Sequence, residues 1–332
     1  MTHSYSDMLT YLRCPKKYEY AVVRQLQRKA TAVNLALGIM FHQLLMGHYL
    51  GTYDEVWEEL SARIVDAPLI DDEVLEYEDL LNQAASMVDR YLAYYEGDST
   101  WEILAVETQY TITLDSGEQI SFTPDLVIRD DRGVWVVDHK TTNSLPKGDL
   151  PVGNFQAFLY SAAMREIYPD FRGFIFNFVR KKLPTQPRLT KTGGKKVADI
   201  GRIDTTYEIL RDFILAEAPE LMDDPTHRRR LAELKDNNRF FWRQYVFTTD
   251  EISDAILDEA VNIIQHIDLS TETGVFPRHF LPYAGAQECS NCPFADLCVA
   301  ELRGYDTETI MYMYEPRDLS HKNYEHEEEV LL

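Results

Sequence analysis

The sequence is short of cysteine, of positive charge and of long apolar runs, and each shortage narrows what the chain can do. Four cysteines in 332 residues are too few for a disulfide-stapled secreted scaffold. No apolar run approaches the ~20 residues that span a bilayer. The opening Met1-Thr2-His3-Ser4-Tyr5-Ser6-Asp7 lacks the charged-then-apolar profile of a secretion signal. The expectation is a soluble cytosolic protein of a microbe or its virus. Basic residues number 33 against 55 acidic ones, for a net charge of -22. That balance weighs against a surface that binds phosphate polymers everywhere. A Gly-x-x-x-x-Gly-Lys-Ser/Thr phosphate loop is also missing, so any helicase motor must be a separate chain.

What is present supports one large core. With 45% hydrophobic residues, a chain of this length buries about three quarters of its unfolded surface. Neither an internal repeat nor a long linker divides it, so 1–332 is read as a single domain. The charge is unevenly spread. Arg180, Lys181, Lys182, Arg188, Lys191, Lys195, Lys196 and Arg202 stand against the single acid Asp199, in a stretch with loop-forming Pro and Gly. Lys16, Lys17, Arg24, Arg28 and Lys29 make a second basic run, and Glu325, Glu327, Glu328 and Glu329 an acidic tail. These are read as solvated charge, with a locally positive groove as the alternative.

Periodicity predicts a mixed α/β unit. A helix capped by Ser6 runs toward Tyr20, a second spans Val33 to Leu50, and acidic helical decoration follows from about Tyr53 to Tyr95. Strands are expected at Ile103–Leu114, Phe122–Ile128, Val134–Lys140, Gly173–Val179 and, more weakly, Phe240–Phe247. Helices are expected at Asn154–Ile167 and from about Asp250 to Ile267. Asp130-Asp131-Arg132-Gly133 has the turn chemistry to fold the Asp125 and Asp138 strands into a hairpin.

The chemistry concentrates on that hairpin. Asp138 and Lys140 are two residues apart, so a strand puts both on one face, a carboxylate for a divalent cation beside an ammonium. Gly38 and His42, four apart on a helix, share a face, and the missing side chain at 38 lets that face approach the sheet. Glu107 is read as an exposed strand glutamate, with a second metal-shell carboxylate as the alternative. Phe240, Phe241, Trp242, Arg243 and Tyr245 are read as core, with a base-stacking surface as the alternative.

Taken in order, Cys14-Pro15-Lys16-Lys17-Tyr18, Gly38-Ile39-Met40-Phe41-His42, Asp125, Asp138-His139-Lys140, Gln156-Ala157-Phe158-Leu159-Tyr160 and a late cysteine cluster resemble the PD-(D/E)XK nuclease superfamily. Within it they resemble the RecB-like exonucleases, including the CRISPR-associated ones. The resemblance implies a restriction-endonuclease-like mixed central sheet flanked by helices, with the catalytic core at about 33–182 and a helical insertion at about 53–97. It implies metal-dependent hydrolysis of DNA, leaning toward single strands and 5′-to-3′ action, in recombination, repair or replication. Asp125, Asp138, His42 and the carbonyl of His139 would hold Mg²⁺ or Mn²⁺, and Lys140 would position water or stabilise charge on phosphate. Gln156 and Tyr160 would contact the lysine or the DNA backbone, or else only pack the helix. The rival function is a DNA-end-binding or assembly module, or a nuclease subunit dependent on a partner such as a helicase.

Three cysteines fall in Cys289-Ser290-Asn291-Cys292-Pro293-Phe294-Ala295-Asp296-Leu297-Cys298, with Cys14 far upstream. In a reducing compartment four thiols so grouped read as ligands of one metal centre, iron-sulfur ahead of zinc. The resemblance implies a [4Fe-4S] cluster on Cys14, Cys289, Cys292 and Cys298, stapling the N- and C-terminal regions together.

Overall fold

The computed structural model describes residues 2–29, 33–66, 71–146, 154–190, 196–279, 289–317 and 327–329. Lys191, Lys195 and Glu325 lie outside them. Ser4, not Ser6, caps the first helix, α1 (Tyr5–Arg13), by accepting the Asp7 amide at 3.2 Å. The expected run toward Tyr20 is divided at Cys14-Pro15, where the proline has no N–H to continue the ladder and instead opens a new turn, Pro15–Tyr18. Then come α2 (Val33–Leu50), α3 (Tyr53–Asp66) and α4 (Asp71–Tyr94). α3 and α4 bury Leu60, Ile64, Ala84, Met87 and Val88 against Phe41, Leu44 and Leu45 of α2. The cluster reaches sheet residues Val179 and Phe241, so the helices expected as decoration share apolar packing with the sheet.

The stretch expected as one strand over 103–114 is two: β1 (Glu102–Val106) and β2 (Gln109–Thr113), in different sheets. The strand expected from Phe122 to Ile128 is likewise broken, into β3 (Gln119–Phe122) and β4 (Leu126–Asp130). Asp125 lies in the break. Both corrections have one cause: β2 and β3 pair with each other, so the chain leaves the main sheet after Val106 and re-enters it at Leu126. β3 also pairs with Thr2–Ser4, and β2 with Glu327–Glu329.

β5 (Gly133–Thr142) follows through the expected turn, then α5 (Phe155–Ile167), β6 (Phe171–Arg180), α6 (Tyr207–Glu217), α7 (Pro225–Asp236), β7 (Phe241–Val246) and α8 (Asp250–Thr273). The main sheet runs β1-β4-β5-β6-β7, parallel only between β5 and β6. That pair needs a crossover, which α5 supplies. The turn is fixed by Asp130, whose carboxylate accepts from Arg132 N–H at 2.9 Å and from the Trp135 indole at 2.9 Å. Gly133 is required there: its φ is +136°, and a Cβ would collide with the carbonyl oxygen of Asp170.

β5 is buried on both faces, as a central strand must be. Val134 and Val136 pack with Leu159, Phe174, Phe176 and Ile264 on the α5 and α8 side. Trp135 and Val137 pack with Leu126, Ile128 and Ile175 on the other. A separate apolar cluster, with Leu210, Ile214, Leu231 and Leu234, lies in the segment between β6 and β7. Among the described residues no helix is long and apolar enough to cross a membrane.

Candidate active site

β5 carries its two charged residues into the space left at the end of its apolar run. Asp138 continues the Val134 and Val136 face, and α5 packs on that face. Gln156, in the first turn of α5, donates from Nε2 to Asp138 Oδ1 at 2.7 Å, while Lys140 Nζ lies 2.6 Å from Asp138 Oδ2. Both carboxylate oxygens are thereby held. α5 itself is set by Asn154, which caps it by accepting the Ala157 amide at 3.2 Å. Tyr160, one turn beyond Gln156, packs its ring on Phe122 at 4.8 Å and edge-on to Tyr5 at 5.6 Å.

Asp125 meets this group because β4 starts one residue later. The β4–β5 ladder ends at Leu126 and Val137, which leaves the next free amide of β5, that of His139, to donate to Asp125 Oδ2 at 2.6 Å. The same oxygen lies 3.4 Å from His42 Nδ1 on α2. Helix α2 gets this close because residue 38 is glycine: a Cβ there would stand 3.0 Å from Thr141 Oγ1 of β5. The helix-face argument from Gly38 and His42 therefore holds in space.

Glu107 is the correction. It is not an exposed strand glutamate but the residue where the chain turns out of β1, with φ +46°, an uncommon left-handed backbone for a residue with a side chain. Its amide donates to Asp125 O at 3.1 Å. Its carboxylate joins His42 and Asp125, the donor atoms all within 4.8 Å of one another. Burial, then the neighbouring Asp125 and Asp138, push its pKa up to about 9. Burial also raises Asp138, to about 6, against the pull of Lys140. Lys140 moves up despite burial, because Asp138 and Asp125 outweigh the loss of water.

His139 faces the other side of the sheet, toward α4, where a buried polar chain backs it. Asn177 stands beside His139 in the parallel register of β6. Its amide nitrogen lies 3.1 Å from His139 Nδ1 and donates to Tyr91 Oη at 2.6 Å, and its oxygen accepts from Arg243 Nε at 3.3 Å. Arg243 is clamped by Asp98 and lies 3.5 Å over the Tyr95 ring. Burial holds the His139 imidazole down to about pKa 3, so it is neutral. This network was missed from the sequence, although a lone asparagine within Phe176-Asn177-Phe178 of an apolar strand was a visible signal. Arg243 thus belongs to the interior, as do Phe240 and Phe241, and Trp242 stacks on Phe178 at 5.4 Å. The core reading fits Phe240, Phe241 and Arg243, while Tyr245 is exposed.

The cysteines lie apart from these carboxylates. Cys14 follows α1, Cys292 and Cys298 pack with Tyr20, Phe294, Leu297 and Tyr314, and Cys14 and Cys289 are close enough to Cys292 to act on its thiol, which burial raises. Arg278 Nε donates to Cys298 Sγ at 3.3 Å. The chain's two ends meet independently of the sulfurs, through antiparallel pairing of Leu26–Arg28 with Tyr314–Pro316.

His42, Glu107 and Asp125 converge here, with the Asp138 and Lys140 ion pair beside them. Hard oxygen donors with one nitrogen, and buried negative charge in excess, fit a divalent cation of the Mg²⁺ or Mn²⁺ type. No curated protein sequence matches the chain. Among solved structures it is similar to a crystal structure from Eubacterium rectale named as a candidate exonuclease, at 13% identity and a TM-score of 0.45, with 86% of this chain and 87% of that one covered. The sequence profile of the PD-(D/E)XK nuclease superfamily matches residues 2–299. With nearly the whole sequence matched and a divalent-metal donor set at the Asp–x–Lys strand, the chain belongs to the PD-(D/E)XK nuclease superfamily.

Proposed function

We propose that this nuclease is a divalent-metal-dependent exonuclease that degrades single-stranded DNA from the 5′ end, in recombination, repair or replication in a microbial cytosol. The observation that carries the reading is the meeting of His42, Glu107 and Asp125 with the Asp138 and Lys140 pair of β5, drawn from four separate stretches of sequence. Preference for single strands, polarity and pathway are carried over from the RecB-like resemblance.

In this reading Asp125, Asp138, Glu107 and His42, with the carbonyl of His139, hold the cation. When bound it would lower the pKa of a water so that hydroxide is available as nucleophile at neutral pH, and would supply positive charge for the phosphate oxygens. The water gives up one proton to solvent as its oxygen bonds to phosphorus, the bridging P–O bond breaks, and the leaving oxygen takes up one proton from solvent, so the proton count closes. Gln156 keeps Asp138 in one rotamer, so that its second oxygen stays beside Lys140 and available to the cation. Lys140 acts as a compact cation against the charge that builds on a non-bridging oxygen. Tyr160 braces the turn of α5 that carries Gln156.

A second metal centre belongs to the proposal: a [4Fe-4S] cluster on Cys14, Cys289, Cys292 and Cys298. Among the described residues the sulfurs do not form a set within 4.8 Å, as the His42 site does. A single tetrahedral zinc with bonds of ~2.3 Å needs sulfurs about 4 Å apart, whereas an iron-sulfur cluster spreads its thiolates more widely.

The test is degradation of single- and double-stranded DNA labelled separately at each end, with Mn²⁺ or Mg²⁺ against EDTA, in anaerobically purified protein. Release of short products from 5′-labelled single strands is expected, with Lys140→Ala slower by about 100-fold or more. Inert wild type that still retains DNA would replace this reading with that of an end-binding or assembly module.

A further inference from the structure

The segment between β6 and β7 leaves the sheet at the mouth of the site. In the parallel register of β5 and β6, Lys140 stands beside Phe178 and Thr142 beside Arg180, and the Lys181 amide donates to Thr142 O at 2.8 Å. The segment is anchored there. Asp204 clasps both Arg180 and Lys182, at 2.9 and 3.1 Å, and Thr185 N–H donates to Asp204 O at 2.7 Å. Arg230 of α7 donates to Ile203 O at 2.7 Å, which ties the same stretch to the small apolar cluster beneath it.

Past the clasp the chain forms a two-stranded ribbon. Ala198 N–H donates to Arg188 O and Thr190 N–H to Lys196 O, each at 2.8 Å, with Leu189 and Val197 paired between them. Leu189 and Val197 pack on the apolar cluster. Side chains alternate along a ribbon, so Arg188 and Lys196, each one residue away, fall on the outer face. Both are exposed, as is Arg202, and Lys182 retains 59% of its side-chain surface. Among the described residues Arg188, Lys196 and Arg202 pair with no carboxylate. Described residues from 180 to 204 carry six basic side chains (Arg180, Lys181, Lys182, Arg188, Lys196, Arg202) against two acids (Asp199, Asp204), in a chain of net charge -22. A rooted ribbon with an apolar inner face and a basic outer one, beside a phosphodiester site, is a track for phosphates on a protein that otherwise repels them.

We propose that Lys182, Arg188, Lys196 and Arg202 bind the backbone phosphates of the single strand whose end lies at Lys140. The inference rests on the nuclease reading, and it concerns binding, so the two can fail separately. The experiment measures anisotropy of a fluorescein-labelled oligothymidylate in EDTA over a range of salt, for wild type and for Arg188→Gln/Lys196→Gln/Arg202→Gln. Each phosphate contact on a single strand contributes about 0.7 to the slope of log Kd against log salt, so three lost contacts lower the slope by about 2 and raise Kd about 100-fold at ~0.1 M salt. Lys196→Arg keeps the wild-type slope. Hydrolysis of thymidine 5′-p-nitrophenyl phosphate in Mn²⁺, a substrate with no strand to hold, is expected to be unchanged in the triple variant. An unchanged salt slope overturns the track, as does an effect seen with duplex alone. Loss of the small-substrate activity in parallel assigns these side chains to the fold instead. Wild type that leaves the small substrate intact counts against the nuclease reading, while the salt slope still decides the track.

Discussion

Glu107 and Asp138 dominate the pH behaviour expected of the metal-free site. Both have folded-state pKa values above the ordinary carboxylate range: burial, then Asp125 and Asp138, raise Glu107 to about 9, and burial raises Asp138 to about 6 against the pull of Lys140, with Asp125 adding to the rise. A carboxyl raised in this way stabilises the fold fully while pH is below its unfolded value and loses that contribution as pH rises through the folded one. The metal-free protein is therefore expected to melt at progressively lower temperature from about pH 5 to about pH 9, in thermal scans against pH, with Glu107→Gln removing much of the slope. Metal binding near neutral pH must displace the proton on Glu107. Titration calorimetry with Mn²⁺ in buffers of different ionisation heat should report proton release, and a heat independent of buffer would remove Glu107 from the ligand set. The sequence marked Asp138, Lys140 and His42 because spacing on a strand and a helix puts them on known faces, whereas Asp125 was expected within a strand and lies in the break before β4. It favoured an exposed strand glutamate at Glu107 over a metal-site carboxylate because nothing in Val106-Glu107-Thr108 marks the place where the chain leaves one sheet for another.

At the scale of elements, two glycines do different work. Gly133 lets the hairpin turn close against Asp170, at the end of β5 away from Lys140. Gly38 lets α2 lie on β5 beside the site. Gly133→Ala is expected to destabilise by about 2 kcal/mol or more through backbone strain and collision, with metal affinity retained by the folded molecules. Gly38→Leu is expected to push α2 off Thr141, at a cost of about 1–3 kcal/mol for overpacking, and to weaken Mn²⁺ binding by moving His42. Thermal melts with calorimetric metal affinities separate the two, and equal effects on affinity would contradict the assignment. β5, β6, α5 and α8 were legible because a run of apolar residues or a 3.6-residue period is a local property. The divisions of 103–114 and of 122–128 were not. β-branched residues continue on both sides of each break, and the break exists only because β2 and β3 find each other.

The whole molecule joins two chemistries, carboxylates at the end of the sheet and thiols where the chain's ends meet. Tyr20, Phe294, Leu297 and Tyr314 form the apolar seat of the cysteine region, and Leu26–Arg28 pairs with Tyr314–Pro316 beside it. Cys14→Ser is expected to abolish brown colour and visible absorbance and to lower the melting temperature and soluble yield, since metal-binding energy is folding energy. Wild type that is colourless and carries one zinc per chain after anaerobic purification would overturn the iron-sulfur assignment. The net charge of -22 looked like an objection to a nucleic-acid enzyme, and it is answered by where the charge sits.

The sequence by itself determined the α/β class, the hairpin with its Asp–x–Lys strand, the helix that brings His42, and the grouping of cysteines, all features carried by short-range periodicity and spacing. Tertiary structure alone decided that Glu107 lies beside His42 and Asp125, that Asn177, Arg243, Tyr91 and Asp98 form the buried support of His139, and that the segment after Arg180 leaves the sheet beside Thr142 of β5. Each depends on pairing between strands and helices far apart in the chain, and side-chain spacing along one segment carries no information about which distant segment will lie beside it.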